Sequence, residues 1–292
     1  MMVANNFINL SLKNKPMYSC DEDTKIYFHD LVRALKQSGI KKGDILFVHV
    51  NLGAFGKLGL IKSRKELTNL FIEAFIESVG HEGTVITPTY TYSFCDNEIY
   101  NPQNSPSKVG YFSEEFRLRK DSYRTINPLF SVSAIGGNAK KLTSGLSKTS
   151  FGRGSIFDRL QNEVNSKYVV AGVDHFICSH VHYIECLMNV PYRYIKKFKG
   201  EIKVNGKLYQ DEYEYNVRYL NKNVNTTFNK LEKHLLENRF MNRAKLGWNY
   251  ISTVEINVIY KESINMLKKD PFFFLKNKPD LKYNERNNKK IS

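Results

Sequence analysis

The chain has 292 residues, is 41% hydrophobic and 13% aromatic, and carries a formal charge of +15. That length suits one large α/β domain or a domain with a small appendage, and the apolar content is too high for a disordered polymer. No apolar run approaches the roughly 18 residues of a membrane-spanning helix, and Met1 to Lys15 hold no apolar stretch with a small-residue cleavage site, so no membrane span and a cytoplasmic location are expected. Cys20, Cys95, Cys178 and Cys186 form neither a C-x-x-C pair nor a zinc spacing, which points to reduced thiols and no metal. Between Lys268 and Lys290 eight basic residues face three acidic ones, and the remaining positive charge is spread thinly along the chain. Such a field concentrates small anions and repels polycations; without a reading motif it does not make nucleic acid the expected partner.

Along the first two thirds of the chain, strand and helix signals alternate. Thr24 to Ser38 reads as an amphipathic helix stopped at Gly39, Asp44 to Val50 as a buried strand, and Ser63-Arg64-Lys65-Glu66 as a capping box opening a helix to about Ser78. Thr84 to Thr87 is a short strand, Ser113 caps a helix through Arg119, Phe130 to Ile135 is a strand, and Ser155 caps a helix to Glu163. The apolar run from Tyr168 to Val173 is a strand, followed by a polar turn from Asp174 to Ser179 and a helix to Asn189. This order predicts an α/β three-layer sandwich with a largely parallel or mixed central sheet. After Pro191 the texture changes: Asn205-Gly206 between apolar-alternating flanks is a hairpin signal, Thr227 to Glu237 reads as a helix, Asn249 to Asn257 as a strand, and a last helix ends near Lys269. The expected organisation is one domain over residues 1–276, with a core at about 20–190, a small C-terminal hairpin-and-helix part at about 191–276, and a basic mobile tail at 277–292.

The most informative residues are His182 and Glu185. Three apart on a helix, they share a face, while Val181, Ile184, Leu187 and Met188 turn to the core. A base and a carboxylate just beyond a strand's carboxyl end stand where open α/β sheets place their chemistry. Ser179 is an N-cap candidate, which would place His182 in the first turn, where the helix dipole favours a neutral ring. On spacing alone, two such polar residues are more often a solvated face. Cys178 invites a nucleophile reading, but a cysteine at a helix start is more often a packing residue. The glycine-bearing stretch from Val50 to Gly59 follows a strand directly yet matches neither the dinucleotide fingerprint nor the P-loop, so alone it is a flexible connection.

Taken in order, these motifs resemble the aminoglycoside 3-N-acetyltransferase (antibiotic N-acetyltransferase) family over roughly Lys41 to Lys276. Val48-His49-Val50-Asn51-Leu52 is similar to the family's first strand and its His-Ser-Ser-Leu turn. Gly80-His81-Glu82-Gly83-Thr84 with Pro88-Thr89, then Ser107-Lys108-Val109-Gly110, then Arg124-Thr125-Ile126-Asn127-Pro128 with Ser131, resemble the next blocks. Ser179-His180-Val181-His182-Tyr183-Ile184-Glu185 matches the active-site signature Thr-x-x-His-x-x-Glu. The resemblance implies an acyl-CoA-dependent N-acyltransferase in which an amine attacks the thioester directly. It assigns His182 as base, Glu185 as the group that orients the ring or holds the amine, and Ser179 as an oxyanion donor. It gives His49, Val50, Asn51, Leu52, Gly53, Ser107 and Arg124 to the coenzyme, and Asn127 and Tyr90 to the substrate.

Two departures bear on the substrate. Asn127 replaces a family histidine and cannot titrate, and Val50-Asn51 replaces two serines. They leave the substrate open; the positive charge, and the likeness of Pro191-Tyr192-Arg193-Tyr194 and Lys269-Asp270-Pro271-Phe272 to family members that acylate amino sugars of surface polysaccharides, favour an amino sugar, nucleotide-linked and used in surface polysaccharide synthesis. The alternatives are acetylation of a true aminoglycoside, or a non-catalytic basic binding module. Expected partners are a small-molecule amine and coenzyme A, with a homodimer left open.

Overall fold

The computed structural model describes residues 10–173, 176–220 and 222–280, and the backbone of 283–284 and 289–290. The expected turn residues Asp174 and His175, and half of the tail expected to be mobile, lie outside the described residues.

A short helix α1 (Leu10–Lys13) leads into two short strands, β1 (Tyr18–Ser19) and β2 (Lys25–Ile26), and helix α2 (Phe28–Gln37). This helix starts later than the sequence suggests, because Asp30 accepts the Tyr27 amide at 2.9 Å and fixes the first turn there. Strand β3 (Ile45–Val50) follows, then a 3-10 turn at Leu52–Ala54, β4 (Lys57–Leu58) and α3 (Arg64–Val79). Half of the expected box at the start of α3 forms: Ser63 Oγ accepts the Glu66 amide, whereas the Glu66 carboxylate accepts the amide of Lys62, one residue before the cap, and not that of Ser63. Next come β5 (Thr84–Pro88), α4 (Tyr111–Arg117), β6 (Tyr123–Arg124), β7 (Val132–Gly136), α5 (Ala139–Thr143), α6 (Ile156–Gln161) and β8 (Ser166–Ala171). Ser113 does not cap α4; Gly110 holds that position, and Ser113 is buried inside the helix with its hydroxyl 3.4 Å from that of Thr87. The chain continues through α7 (His180–Leu187), the hairpin β9 (Arg193–Val204) and β10 (Lys207–Arg218), α8 (Asn229–Glu237), β11 (Met241–Leu246), β12 (Asn249–Glu255) and α9 (Ile256–Lys269).

Seven strands make the central sheet, in the order β11-β12-β8-β3-β5-β7-β6. It is mixed: β8, β3 and β5 run parallel, and the flanking pairs are antiparallel. Strand β3 is buried on both faces, which explains its nearly unbroken apolar sequence. Ile45 and Phe47 join a core with α5, α6, α7, α8 and α9, while Leu46 and Val48 join a second core with α2, α3 and α4. That alternation is the three-layer sandwich. Residues 241–255, grouped by sequence with the C-terminal part, instead extend the central sheet beside β8. Asn205-Gly206 turns the hairpin with φ of +50° and +78°, and each arm is 12 residues long, well beyond the stretch its flanks suggested.

The parallel trio has a consequence for placement. From β3 the chain proceeds to β5 on one side, whereas β8 lies on the other, so the carboxyl ends of β3, β5 and β8 border a topological switch point. The residues singled out in the sequence follow these strand ends: His49 to Gly53 after β3, Tyr90 after β5, and Ser179 to Glu185 after β8.

Candidate active site

Helix α7 carries His182 and Glu185 one turn apart, with Val181 and Ile184 fully buried beneath them. The His182 Nδ1 lies 2.7 Å from Glu185 Oε2. Glu185 is fully buried, and Tyr192 donates its hydroxyl to Oε1 at 2.7 Å. Arg193, the first residue of β9, completes the group. Its Nε is 2.7 Å from Glu185 Oε2, too poorly aligned for a hydrogen bond but an ion pair by distance. Its Nη1 donates to the Asn216 carbonyl of β10 at 3.0 Å, and its Nη2 stands 3.0 Å from His182 Nδ1. The hairpin therefore holds the cation against the pair on α7.

These partners set the protonation states. Burial alone would raise the Glu185 carboxyl; Arg193, His182 and the Tyr192 hydroxyl override it and hold the group below its ordinary value. Burial lowers the His182 pKa, Arg193 lowers it further, and Glu185 pulls the other way, with a net downward result. The sequence credited the helix dipole for a neutral ring; burial and the guanidinium account for it here. Nδ1 meets two partners of opposite demand, a carboxylate that only accepts and a guanidinium that only donates; with its hydrogen turned to the shorter contact, Glu185 at 2.7 Å, the 3.0 Å approach of Arg193 Nη2 is no hydrogen bond and the lone pair falls on Nε2. That edge makes no hydrogen bond among the described residues. The ring is held between Phe151 and Phe228, with centroids at 5.3 and 5.8 Å, and its side chain keeps 22% exposure.

A second polar chain lies on the same sheet face. The Ser179 amide donates to Tyr168 Oη at 2.8 Å, and Tyr168 Oη is 2.6 Å from His49 Nε2. Ser179 is already helical, with φ −62° and ψ −25°, and makes no side-chain cap, so the N-cap expectation is not met. Its hydroxyl stands beside those of Tyr168 and Tyr90. Tyr90 Oη is buried and completes no hydrogen bond, a donor left open next to Ser179. Burial holds His49 neutral, with its pKa down to about 4, and pushes the Cys178 thiol up to about 12, which fits a packing residue rather than a nucleophile.

The loop after β3 is braced internally. Asn51 Oδ1 accepts the Gly53 amide at 3.2 Å, the Asn51 amide donates to Ala171, and the Leu52 carbonyl accepts the Tyr18 hydroxyl. Val50, Asn51 and Gly53 remain at least partly exposed, whereas the Leu52 side chain is buried. Gly172, with φ +69°, follows β8 where an added Cβ would stand 2.6 Å from the Asn51 carbonyl, so only glycine lets the two strand ends meet.

Three other residues assigned to ligands are engaged by the protein itself. Arg124 donates to the Thr89 hydroxyl and carbonyl and to the carbonyls of Pro102 and Ser105, which uses four of its five N–H groups. Asn127 Oδ1 accepts the amides of Leu129 and Phe130 and shapes the turn before β7. The Ser107 amide donates to Glu114, and its hydroxyl accepts from Val109. Arg124 is thereby almost fully used, whereas Asn127 keeps its Nδ2 group and Ser107 its hydroxyl hydrogen outside these bonds. Sequence reasoning passed over Tyr168, Tyr192 and Arg193 as site residues; only the Tyr192-Arg193 dipeptide soon after the signature helix hinted at a further acid partner.

The aminoglycoside 3-N-acetyltransferase family matches residues 47–268, a span that includes every residue of both polar chains. The chain belongs to this family. Solved structures with the same fold include aminoglycoside acetyltransferase AAC(3)-IVa as the apoenzyme, at 22% identity and TM-score 0.70 over 86% of this chain and 91% of that one. AAC-IIIb in a binary complex with CoASH aligns at 20% identity and TM-score 0.72 over 86% and 98%. AAC-VIa bound to sisomicin aligns at 18% and 0.72 over 83% and 97%. No curated protein sequence matches the chain. Family membership makes it an acyl-CoA-dependent N-acyltransferase. No helix among the described residues is long and apolar enough to cross a membrane, and no group of metal-ligating side chains occurs among them.

Proposed function

We propose that the protein transfers an acetyl group from acetyl-CoA to an amino group of an aminoglycoside-type sugar, with His182 as general base. The observation that carries this reading is the His182–Glu185 pair, its Nε2 edge left without a partner, in a chain of this family. Buried beneath the ring, Glu185 cannot reach an amine, so of its two expected roles orientation is the one the geometry supports. Arg193 and Tyr192 keep it ionised and in place. As the nitrogen–carbon bond forms, His182 Nε2 accepts the proton the amine sheds and later returns it to the departing thiolate. The residues also suit the other substrate: the Tyr90 hydroxyl lies beside that of Ser179, and the pair offers donors to a thioester oxygen as it gains charge.

The nucleotide-linked amino sugar favoured from sequence now stands second. The family's described substrate class is the aminoglycoside. The charge of +15 still favours an anionic acceptor. A thiol-release assay with acetyl-CoA separates the two: turnover of kanamycin-like amines supports the first, and turnover of nucleotide-linked amino sugars alone reverses the order. Thiol release with neither class, and unchanged ligand binding in His182→Ala, would leave only a binding module.

A further inference from the structure

At the base of the β9–β10 hairpin, three exposed apolar side chains stand among cations that no acid neutralises. Leu220 is 81% exposed, Ile195 48% and Tyr194 41%. They are neighbours: Tyr194 pairs with Val217 across the hairpin, its ring lies 4.7 Å from that of Tyr219, and Leu220 follows directly. Exposed apolar groups gathered in this way mark a surface that is covered in use. We propose that this surface docks on an anionic lipid bilayer, as a peripheral contact and not as a span.

Charge is the first argument. Residues 194–196, 216–225 and 275–280 converge here, since the Asp280 amide donates to the Lys222 carbonyl and the Lys276 amide to that of Asn225. These segments hold Lys196, Arg218, Lys222, Lys276 and Lys278 against the single acid Asp280. None of the five cations joins an ion pair among the described residues, whereas the next lysines along the hairpin, Lys197 and Lys199, share Glu212. Residues 281–292 add Lys282, Arg286, Lys289 and Lys290 against Glu285. An excess of this size is drawn to acidic headgroups and repels a second copy of the chain.

The apolar groups choose between polyanions. A nucleic acid rewards open aromatic faces, but Tyr194 and Tyr219 pack on each other, and Leu220 and Ile195 offer a base nothing to stack on. A headgroup layer suits all of them: leucine and isoleucine leave water, tyrosine keeps its ring in and its hydroxyl out, and lysines hold their charged ends in solvent. The surface is also preformed. Arg218 Nη1 donates to the Val224 carbonyl and closes the loop after β10, and a bridge from Thr226 to Leu275 ties that loop to the segment beside it. Little ordering is left for docking to impose.

The test spins the full chain with vesicles of phosphatidylcholine alone and with vesicles that also carry phosphatidylglycerol. The protein should sediment with the acidic vesicles and not with the neutral ones, and salt at about 1 M should release most of it. Leu220→Ser combined with Ile195→Ser, and separately Lys276→Glu combined with Lys278→Glu, should each weaken binding roughly tenfold, with melting temperature and thiol release in solution unchanged. Failure to sediment with acidic vesicles overturns the proposal. So does undiminished binding of the Leu220 and Ile195 variant when the lysine variant alone loses affinity. Duplex DNA that displaces the native protein from the vesicles in that case assigns the surface to nucleic acid.

Discussion

At His182 two neighbours act in opposite directions, and their removal should separate them. Arg193→Gln takes away a positive charge that depresses the imidazole, so the acidic limb of the kcat/KM profile should move to higher pH. Glu185→Gln takes away the group that favours the imidazolium, so the same limb should move to lower pH while the rate falls because the ring loses its anchor. Shifts of the same sign in both variants would contradict the charge assignment. As the proposed base, His182 would have to be neutral, so the native limb should fall below the ordinary histidine value of about 6.5, and His182→Ala should cost on the order of a hundredfold or more in turnover. Arg124 and Asn127 give the contrasting case. Asn127→Ala strands two backbone amides and should lower stability by roughly 1–3 kcal/mol, with the coenzyme KM unchanged in the fraction that stays folded. Thermal melts and saturation kinetics on one preparation check both halves.

Among the elements, the segments after β3 and β8 and the hairpin β9–β10 build the site together. Gly172→Ala puts a side chain into a left-handed backbone position and against the Asn51 carbonyl, which should cost roughly 1–3 kcal/mol and lower the melting temperature. Retention of full stability would mean that β8 and the loop after β3 can separate freely. These elements also mark how far the sequence could be read. The buried strands, the Ser63 cap and the Asn205-Gly206 turn were legible, because each depends on local periodicity or on a side chain reaching its own neighbours. His182 and Glu185 were legible because they are three apart on one helix. Arg193 was not, since its hold on Glu185 depends on how the hairpin lies against α7. Strand β11 was passed over because Asn242, Arg243 and Lys245 face outward and dilute its apolar signal. The tasks of Arg124 and Asn127 escaped for a similar reason: their family motif names a residue type, and only the fold reveals which carbonyls and amides those side chains already serve.

For the molecule as a whole, buried imidazoles link stability to acidity. Burial lowers His49 to about 4 and His180 to about 3, and His182 is lowered as well. An unfolded chain binds these protons near pH 6.5, so it holds more protons than the native state below that value, and stability rises with pH there. The melting temperature should therefore fall steadily as pH drops from about 6.5 towards 4, and His180→Asn should flatten the slope. A melting temperature independent of pH across that window would mean that these rings are hydrated in the native state. The sheet order carries one more consequence, for synthesis. Strand β8 is an inner strand whose outer neighbour, β12, is made about 80 residues later. Until that stretch has left the ribosome, Tyr168, Val169 and Val170 offer a bare apolar edge, a template for mispairing with another nascent chain. Stalled or truncated products should thus be prominent chaperone clients, even though the helix that carries His182 and Glu185 has already been made.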